Sequence, residues 1–244
     1  MANLIIPDVS TYQDDNTTPL GINFAAMKAT TPGVFIRAGQ GNWVDADWTY
    51  NWSVSRAAGM ARGSYWFYDS RYAPKIQAQK YILTLGNDLG QLPLVLDLEE
   101  AYKGPFQGWR CWYDCLSEMR RLAPGKEIMI YTGYYYWTER IPPPTSVQWF
   151  SQFPLWIASY NPAPQIPSPW REWLFWQYTD KGDGKPYGVE SLNIDLNYFN
   201  GDQAAFNTRF GIAGATGPLP PEPPAPDKIK TVTVTYESGR VVTL

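Results

Sequence analysis

No histidine occurs among the 244 residues of this chain. That absence removes the Ser-His-Asp triad, the Cys-His pair and the His-ligated zinc sites of many hydrolases. Carboxylate chemistry is what remains. Cysteine is almost as scarce: Cys111 and Cys115 are the only two, four residues apart in a segment of helical pattern. At that spacing the side-chain directions strain a disulfide, and two thiols fall short of a four-ligand zinc site. They read as free packing residues of a protein made in a reducing compartment. Basic blocks are lacking too, with 20 Lys and Arg against 23 Asp and Glu, so the clustered cations of a nucleic-acid partner are missing. No run approaches the roughly 20 apolar residues of a membrane span. The opening Met1-Ala2-Asn3-Leu4-Ile5-Ile6-Pro7-Asp8 has neither the cationic start nor the apolar run of a secretion signal. The expectation is a cytosolic product, without a membrane partner, that something else must move.

Aromatic residues are plentiful, with 12 Trp, 17 Tyr and 10 Phe. Most must fill a core, and a surplus near strand ends also suits the apolar faces of sugar rings. Short segments rich in β-branched and aromatic residues recur at 3–8, 33–38, 62–68, 92–98, 127–132, 154–159, 173–178 and 193–197. Helix-like stretches lie between the early ones, at 23–29, 52–59, 74–85 and 108–122. In the third of these, Pro74 suits a first helical position, and Ile76, Tyr81, Leu83 and Leu85 are the apolar contacts expected. Alternation of this kind predicts a closed parallel barrel covered by helices. The last third departs from it. The proline-rich 161–169 cannot be helical, and 179–186 carries turn signals throughout. The predicted fold class is therefore α/β, an irregular TIM-like barrel of about five β/α units followed by three strands.

The fourth segment ends in Asp97-Leu98-Glu99. Residues two apart on a strand project to one face, so Leu94, Leu96 and Leu98 would meet the helices while Val95, Asp97 and Glu99 face the barrel interior. A solvated pair of acids following a buried strand is the plainer reading of the same residues. Asp8, ending the first segment, and Asp195, in the last, occupy equivalent places, and first and last strands are neighbours in a closed barrel. Singly, each suits a turn or a helix cap. Together, four acids at one rim favour acid/base chemistry at the mouth where such barrels carry their active sites.

Asp8-Val9-Ser10-Thr11-Tyr12-Gln13 resembles the opening motif of the glycoside hydrolase family 25 lysozymes, muramidases frequent among phage endolysins. Further matches follow in order: 63–67 (GSYWF), 96–99 (LDLE), 131–133 (YTG), 155–160 (LWIASY), 176–178 (WQY) and 194–197 (IDLN). The resemblance implies a (β/α)5(β)3 barrel that hydrolyses the β-1,4 bond between N-acetylmuramic acid and N-acetylglucosamine in peptidoglycan, with no metal or organic cofactor. It implies Glu99 as general acid, Asp97 as the acid orienting the substrate's N-acetyl group, and Asp8 and Asp195 as acids at the cleft floor. Substrate-binding candidates are Tyr65, Phe67, Tyr131, Tyr134, Trp156, Tyr178, Gln177 and Arg37. Arg37 and Trp66 stand where relatives often carry other residues, commonly His in the second case. Those differences are expected to alter subsite shape or pH response.

The barrel is expected over 1–212, a semi-rigid Pro-rich linker over 213–227, and a β-hairpin over 228–244. A lone hairpin is marginal in water, so it is expected to dock on the barrel, the wall or a phage structural protein. The expected setting is phage lysis after holin-type release, or wall degradation by a virion component. The competing reading is an inactive barrel that binds glycan or serves as a virion structural protein. A chitinase-like glycosidase would show a longer acidic run leading to its Glu.

Overall fold

The computed structural model describes residues 3–99, 103–141, 147–212, 233–235 and 241–243. They fall into two units, divided after residue 214. In the first, the elements in chain order are β1 (Leu4–Val9), α1 (Phe24–Thr30), β2 (Gly33–Gln40), β3 (Trp43–Val44), α2 (Trp48–Ala57), β4 (Ala61–Phe67), α3 (Pro74–Leu85), β5 (Leu94–Leu98), α4 (Trp109–Leu122), β6 (Ile128–Gly133), α5 (Tyr134–Arg140), β7 (Leu155–Ala158), β8 (Phe175–Asp183), β9 (Asn193–Phe199) and α6 (Gln203–Phe210). In the second, β10 (Thr233–Thr235) pairs antiparallel with β11 (Val241–Thr243). The linker expected over 213–227 and the hairpin's turn lie outside the described residues.

Eight strands close a ring in the order β1-β2-β4-β5-β6-β7-β8-β9, with β9 returning to β1 and β3 added outside against β2. All eight segments expected from the sequence are strands of that ring. One expectation needs correcting: the ring is mixed. Neighbours from β1 through β8 are parallel, whereas β9 runs antiparallel to both β8 and β1. The reason is length, because a parallel crossover needs a dozen or more residues, and 184–192 holds only a 3-10 turn at Lys185–Tyr187. Residues 159–174, between β7 and β8, contain no helix, as the prolines dictate.

Two apolar layers follow from strand alternation. Ile6, Phe35, Val95, Met129, Trp156, Phe175 and Phe199 fill the ring, and Phe206 of α6 packs with them. Leu94, Leu96 and Leu98 of β5 join the outer layer with Trp112, Leu116 and Met119 of α4. In α3 the buried face is Gln77, Ala78, Tyr81 and Leu85, while Ile76 and Leu83 are exposed. Gln77 replaces the expected apolar contact because its side-chain amide accepts from Asp69 N–H and donates to the Asp69 and Tyr72 carbonyls. Cys115 is buried in α4 and Cys111 half-buried, both free.

At Gly63 of β4 a Cβ atom would lie 2.3 Å from the Phe35 ring and 2.9 Å from Leu92 Cβ. Gly63→Ala is therefore expected to destabilise the barrel by about 1–3 kcal/mol through overpacking. Denaturant unfolding measures it, and an unchanged midpoint would show that the inner layer yields.

Candidate active site

The reversed direction of β9 builds the site. Asp8 lies near the C-terminal end of β1 and Asp195 near the N-terminal end of β9, and the antiparallel register sets them directly opposite each other. Asp97 points inward from β5 and is buried, while Glu99 stands just past the strand end, exposed. The backbone between them is pinned from both sides, by the Thr132 hydroxyl donating to the Leu98 carbonyl (2.7 Å) and the Tyr68 N–H donating to the Asp97 carbonyl (3.0 Å). All four acids line one cavity of about 310 Å3 at the mouth formed by the C-terminal ends of the parallel strands.

Two buried side-chain amides hold the floor. The Tyr131 and Tyr160 hydroxyls both donate to Gln177 Oε1, at 2.9 and 3.0 Å. That orients Gln177 Nε2 toward the carboxylates, where it donates to Asp8 Oδ2 (3.2 Å) and Asp195 Oδ2 (3.4 Å). Trp156 Nε1, which can only donate, takes Asn197 Oδ1 at 2.7 Å. Asn197 Nδ2 then donates to Asp8 Oδ2 (2.8 Å) and the Ile6 carbonyl (2.9 Å). Each amide is polarised by donors behind it, so the face presented to Asp8 carries N–H groups only.

Burial raises the Asp8 carboxyl to about 6, although the bonds from Asn197 and Gln177 oppose the rise. Asp195 is raised further, to about 8, first by burial and then by the negative charges of Asp8, Asp180 and Glu99. Two such acids in apposition retain a proton near neutral pH. The phenols of Tyr65 and Tyr131 are pushed well up by burial, with Asp8 adding to the first and Glu99 to the second. Both remain hydrogen donors. Among the described residues no group of three or more His, Cys, Asp or Glu side chains is arranged to hold a metal ion.

Tyr65, Phe67, Tyr131, Trp156, Gln177 and Arg37 join the acids on the cavity wall. Tyr134 does not. It lines an adjoining groove of about 410 Å3 with Tyr135, Tyr136, Ser159 and Asn161, which shares Glu99, Tyr131 and Tyr160 with the main cavity. Tyr178 is not on the cavity wall either: it alternates with the inward Gln177, so its ring stacks on Tyr198 at 4.1 Å outside the ring of strands. Trp66 likewise faces the helices, stacked on Tyr81 at 5.4 Å, so it does not shape a subsite. Ser10, Tyr12, Gln13, Gln40 and Tyr160 also line the cavity without having been singled out. A signal existed for some: Ser10 and Gln13 form a reciprocal capping box that shapes the loop after β1.

The sequence matches the glycosyl hydrolases family 25 over residues 7–185. An uncharacterized protein of Escherichia coli O157:H7, YegX, is 30% identical over 172 residues, 69% of this chain and 59% of that protein. The chain thus spans less than two thirds of that relative's length. Lysozyme M1 of Streptomyces globisporus is 27% identical over 213 residues, covering 81% of this chain and 68% of the enzyme. The crystal structure of a bacterial lysozyme from Streptomyces coelicolor is similar with a TM-score of 0.69 at 25% identity, over 83% of this chain and 94% of that one.

The raised acids set a stability profile. Because folded Asp195 titrates near 8 against an ordinary 3.8, the folded chain binds the extra proton across that interval and stability falls as pH rises through it. Thermal melts should show the Asp195→Asn variant gaining on the parent between about pH 4 and about pH 8. A difference constant with pH would refute the raised value.

Proposed function

The chain belongs to glycosyl hydrolases family 25, and on that basis we propose that it is an N-acetylmuramidase, cleaving the β-1,4 bond between N-acetylmuramic acid and N-acetylglucosamine of peptidoglycan. The observation that carries the reading is the pairing of an exposed Glu99 with a buried Asp97 on one wall of an acid-lined mouth. Glu99 meets solvent and substrate, so it serves as the general acid that protonates the leaving glycosidic oxygen. Asp97 is fixed below it to accept from the substrate's acetamido N–H.

The attacking oxygen follows from the same strand. Asp97 on β5 and Glu99 immediately past its end line one wall of the cavity, so we read them as approaching the sugar from one side and not as an ordinary carboxylate pair flanking the scissile bond. We assign the attack to the substrate's own acetamido oxygen. Its carbonyl oxygen bonds to C1 as the C1–O bond breaks and the Glu99 proton passes to the departing oxygen. Water then adds at C1, giving its proton to the Glu99 carboxylate, and the acetamido group is restored. Asp8 and Asp195, bridged by Gln177, retain one proton between them near neutral pH and so spare the mouth one further charge.

The tyrosine-lined groove that shares Glu99 continues the cavity along a path suited to further sugar rings, with Tyr135 and Tyr160 exposed on it. For biological setting we propose wall degradation in phage lysis or from a virion, with the C-terminal hairpin as the element that meets a phage structural protein. Among the described residues no helix is long and apolar enough to cross a membrane.

Glu99→Gln should fold as the parent does and lose about 10²- to 10⁴-fold in turnover on purified peptidoglycan, with Asp97→Asn also strongly reduced. Product analysis should find N-acetylmuramic acid at the new reducing end. Undiminished clearing by Glu99→Gln would sink the assignment, and a glucosamine end would redirect it to a glucosaminidase.

A further inference from the structure

Arg37 is the one cation on the cavity wall among the described residues, and it sits there at a cost. It is 6% exposed, and of its guanidinium nitrogens Nε alone is hydrogen-bonded, to Asp45 Oδ2 at 2.6 Å. Nη2 is buried with no hydrogen-bond partner among the described residues. A buried charged donor left unmatched is destabilising by more than an ordinary lost hydrogen bond. Other constraints nevertheless hold the group in this position. Asp45, wholly buried, is itself fixed by the Thr11 and Asp47 N–H groups at 3.3 and 3.0 Å. The rings of Tyr12 and Trp43 lie 4.8 and 5.3 Å from the guanidinium carbon.

The backbone is built to the same end. β2 carries a bulge between Arg37 and Gly39, so that Arg37 pairs with Tyr65 and Gln40 with Phe67. Ala38 is the extra residue and turns to the outer layer. Gly39 is required there, since a Cβ would lie 2.3 Å from the Trp43 carbonyl oxygen and 2.6 Å from the Trp66 ring. The bulge therefore lets Arg37 and Gln40 both line the cavity, on the side made by β2 and β4, away from the tyrosine groove.

From this we infer that Arg37 is a substrate-positioning residue that donates to an acyl oxygen on a side group of the glycan, and so helps set which sugar lies on which side of the scissile bond. The inference rests on the muramidase reading. A guanidinium held by one nitrogen presents its remaining N–H groups as a planar fork, the geometry that matches carbonyl and carboxylate oxygens. Two side groups of the substrate offer such an oxygen: the N-acetyl group of every sugar, and the lactyl branch of muramic acid alone. Tyr12, 74% exposed, lies over the guanidinium on the solvent side of this contact.

The test uses the full chain carrying Glu99→Gln, so that glycan binds without turnover. Calorimetry compares chitotetraose, which has N-acetyl groups only, with an alternating N-acetylglucosamine–N-acetylmuramic acid tetrasaccharide, before and after Arg37→Lys. Lysine keeps the charge against Asp45 but loses the fork, whereas Arg37→Met would leave Asp45 unpaired and risk misfolding. A matching melting curve verifies the fold. Binding should weaken by at least about tenfold. Loss on both sugars assigns the N-acetyl oxygen, and loss on the muramyl sugar alone assigns the lactyl oxygen. Unchanged affinity on both, with the Glu99→Gln protein binding well, overturns the Arg37 role and leaves the muramidase reading intact. Failure of the Glu99→Gln protein to bind either sugar overturns both.

Discussion

Closure of the ring by an antiparallel β9 is the constraint on which the rest of the molecule depends. It places Asp195 opposite Asp8, although one residue lies near the start of its strand and the other near the end of its own. It also brings Asn197 beneath Asp8, level with Ile6, where a parallel strand would have carried that end of β9 toward the mouth. An open sheet would leave β1 and β9 as edges and the two acids far apart. Closing it makes burial of both carboxyls unavoidable, and the raised affinity of each for a proton follows from that burial more than from any single neighbour.

Buried acids need donors, and here the donors are chosen by what lies behind them. Gln177 and Asn197 could each present either end of the amide to Asp8. Two tyrosine hydroxyls and an indole N–H, none an acceptor in these contacts, settle the orientation. The inner aromatic layer therefore has two duties. Trp156 packs against Phe35 at 4.7 Å as core and at its polar tip sets the hydrogen-bond polarity of the floor. This explains why an aromatic core extends to the edge of a polar mouth without leaving its buried amides unmatched.

Much of the architecture was legible in the chain, for reasons of period and composition. Strand alternation sorted Leu94, Leu96 and Leu98 from Val95 and Asp97 correctly, because one face meets helices and the other meets the ring interior. The same rule, applied strand by strand, would have excluded Tyr178, which neighbours the inward Gln177, and Trp66, which neighbours the inward Tyr65. Aromatic character near a strand end misleads where parity does not. Ile76 and Leu83 misled in another way: hydrophobic type suggested burial, but α3 is anchored by the buried amide of Gln77. Exposed apolar residues are ordinary, and it is the buried polar one that carries information.

What the sequence determined by itself was the inventory and its order: carboxylates as the available catalysts for want of histidine, eight strands, helix loss in the proline-rich last third, and the motif series shared with family 25. These are local properties, set by residue type and spacing. Tertiary structure alone decided the direction of β9, the apposition of Asp8 and Asp195, the orientation of Gln177 and Asn197, and the bulge that turns Arg37 and Gln40 to the cavity. Each of those depends on contacts between residues far apart in the chain, as from 8 to 195, where only ring closure and hydrogen-bond matching select among locally equivalent alternatives.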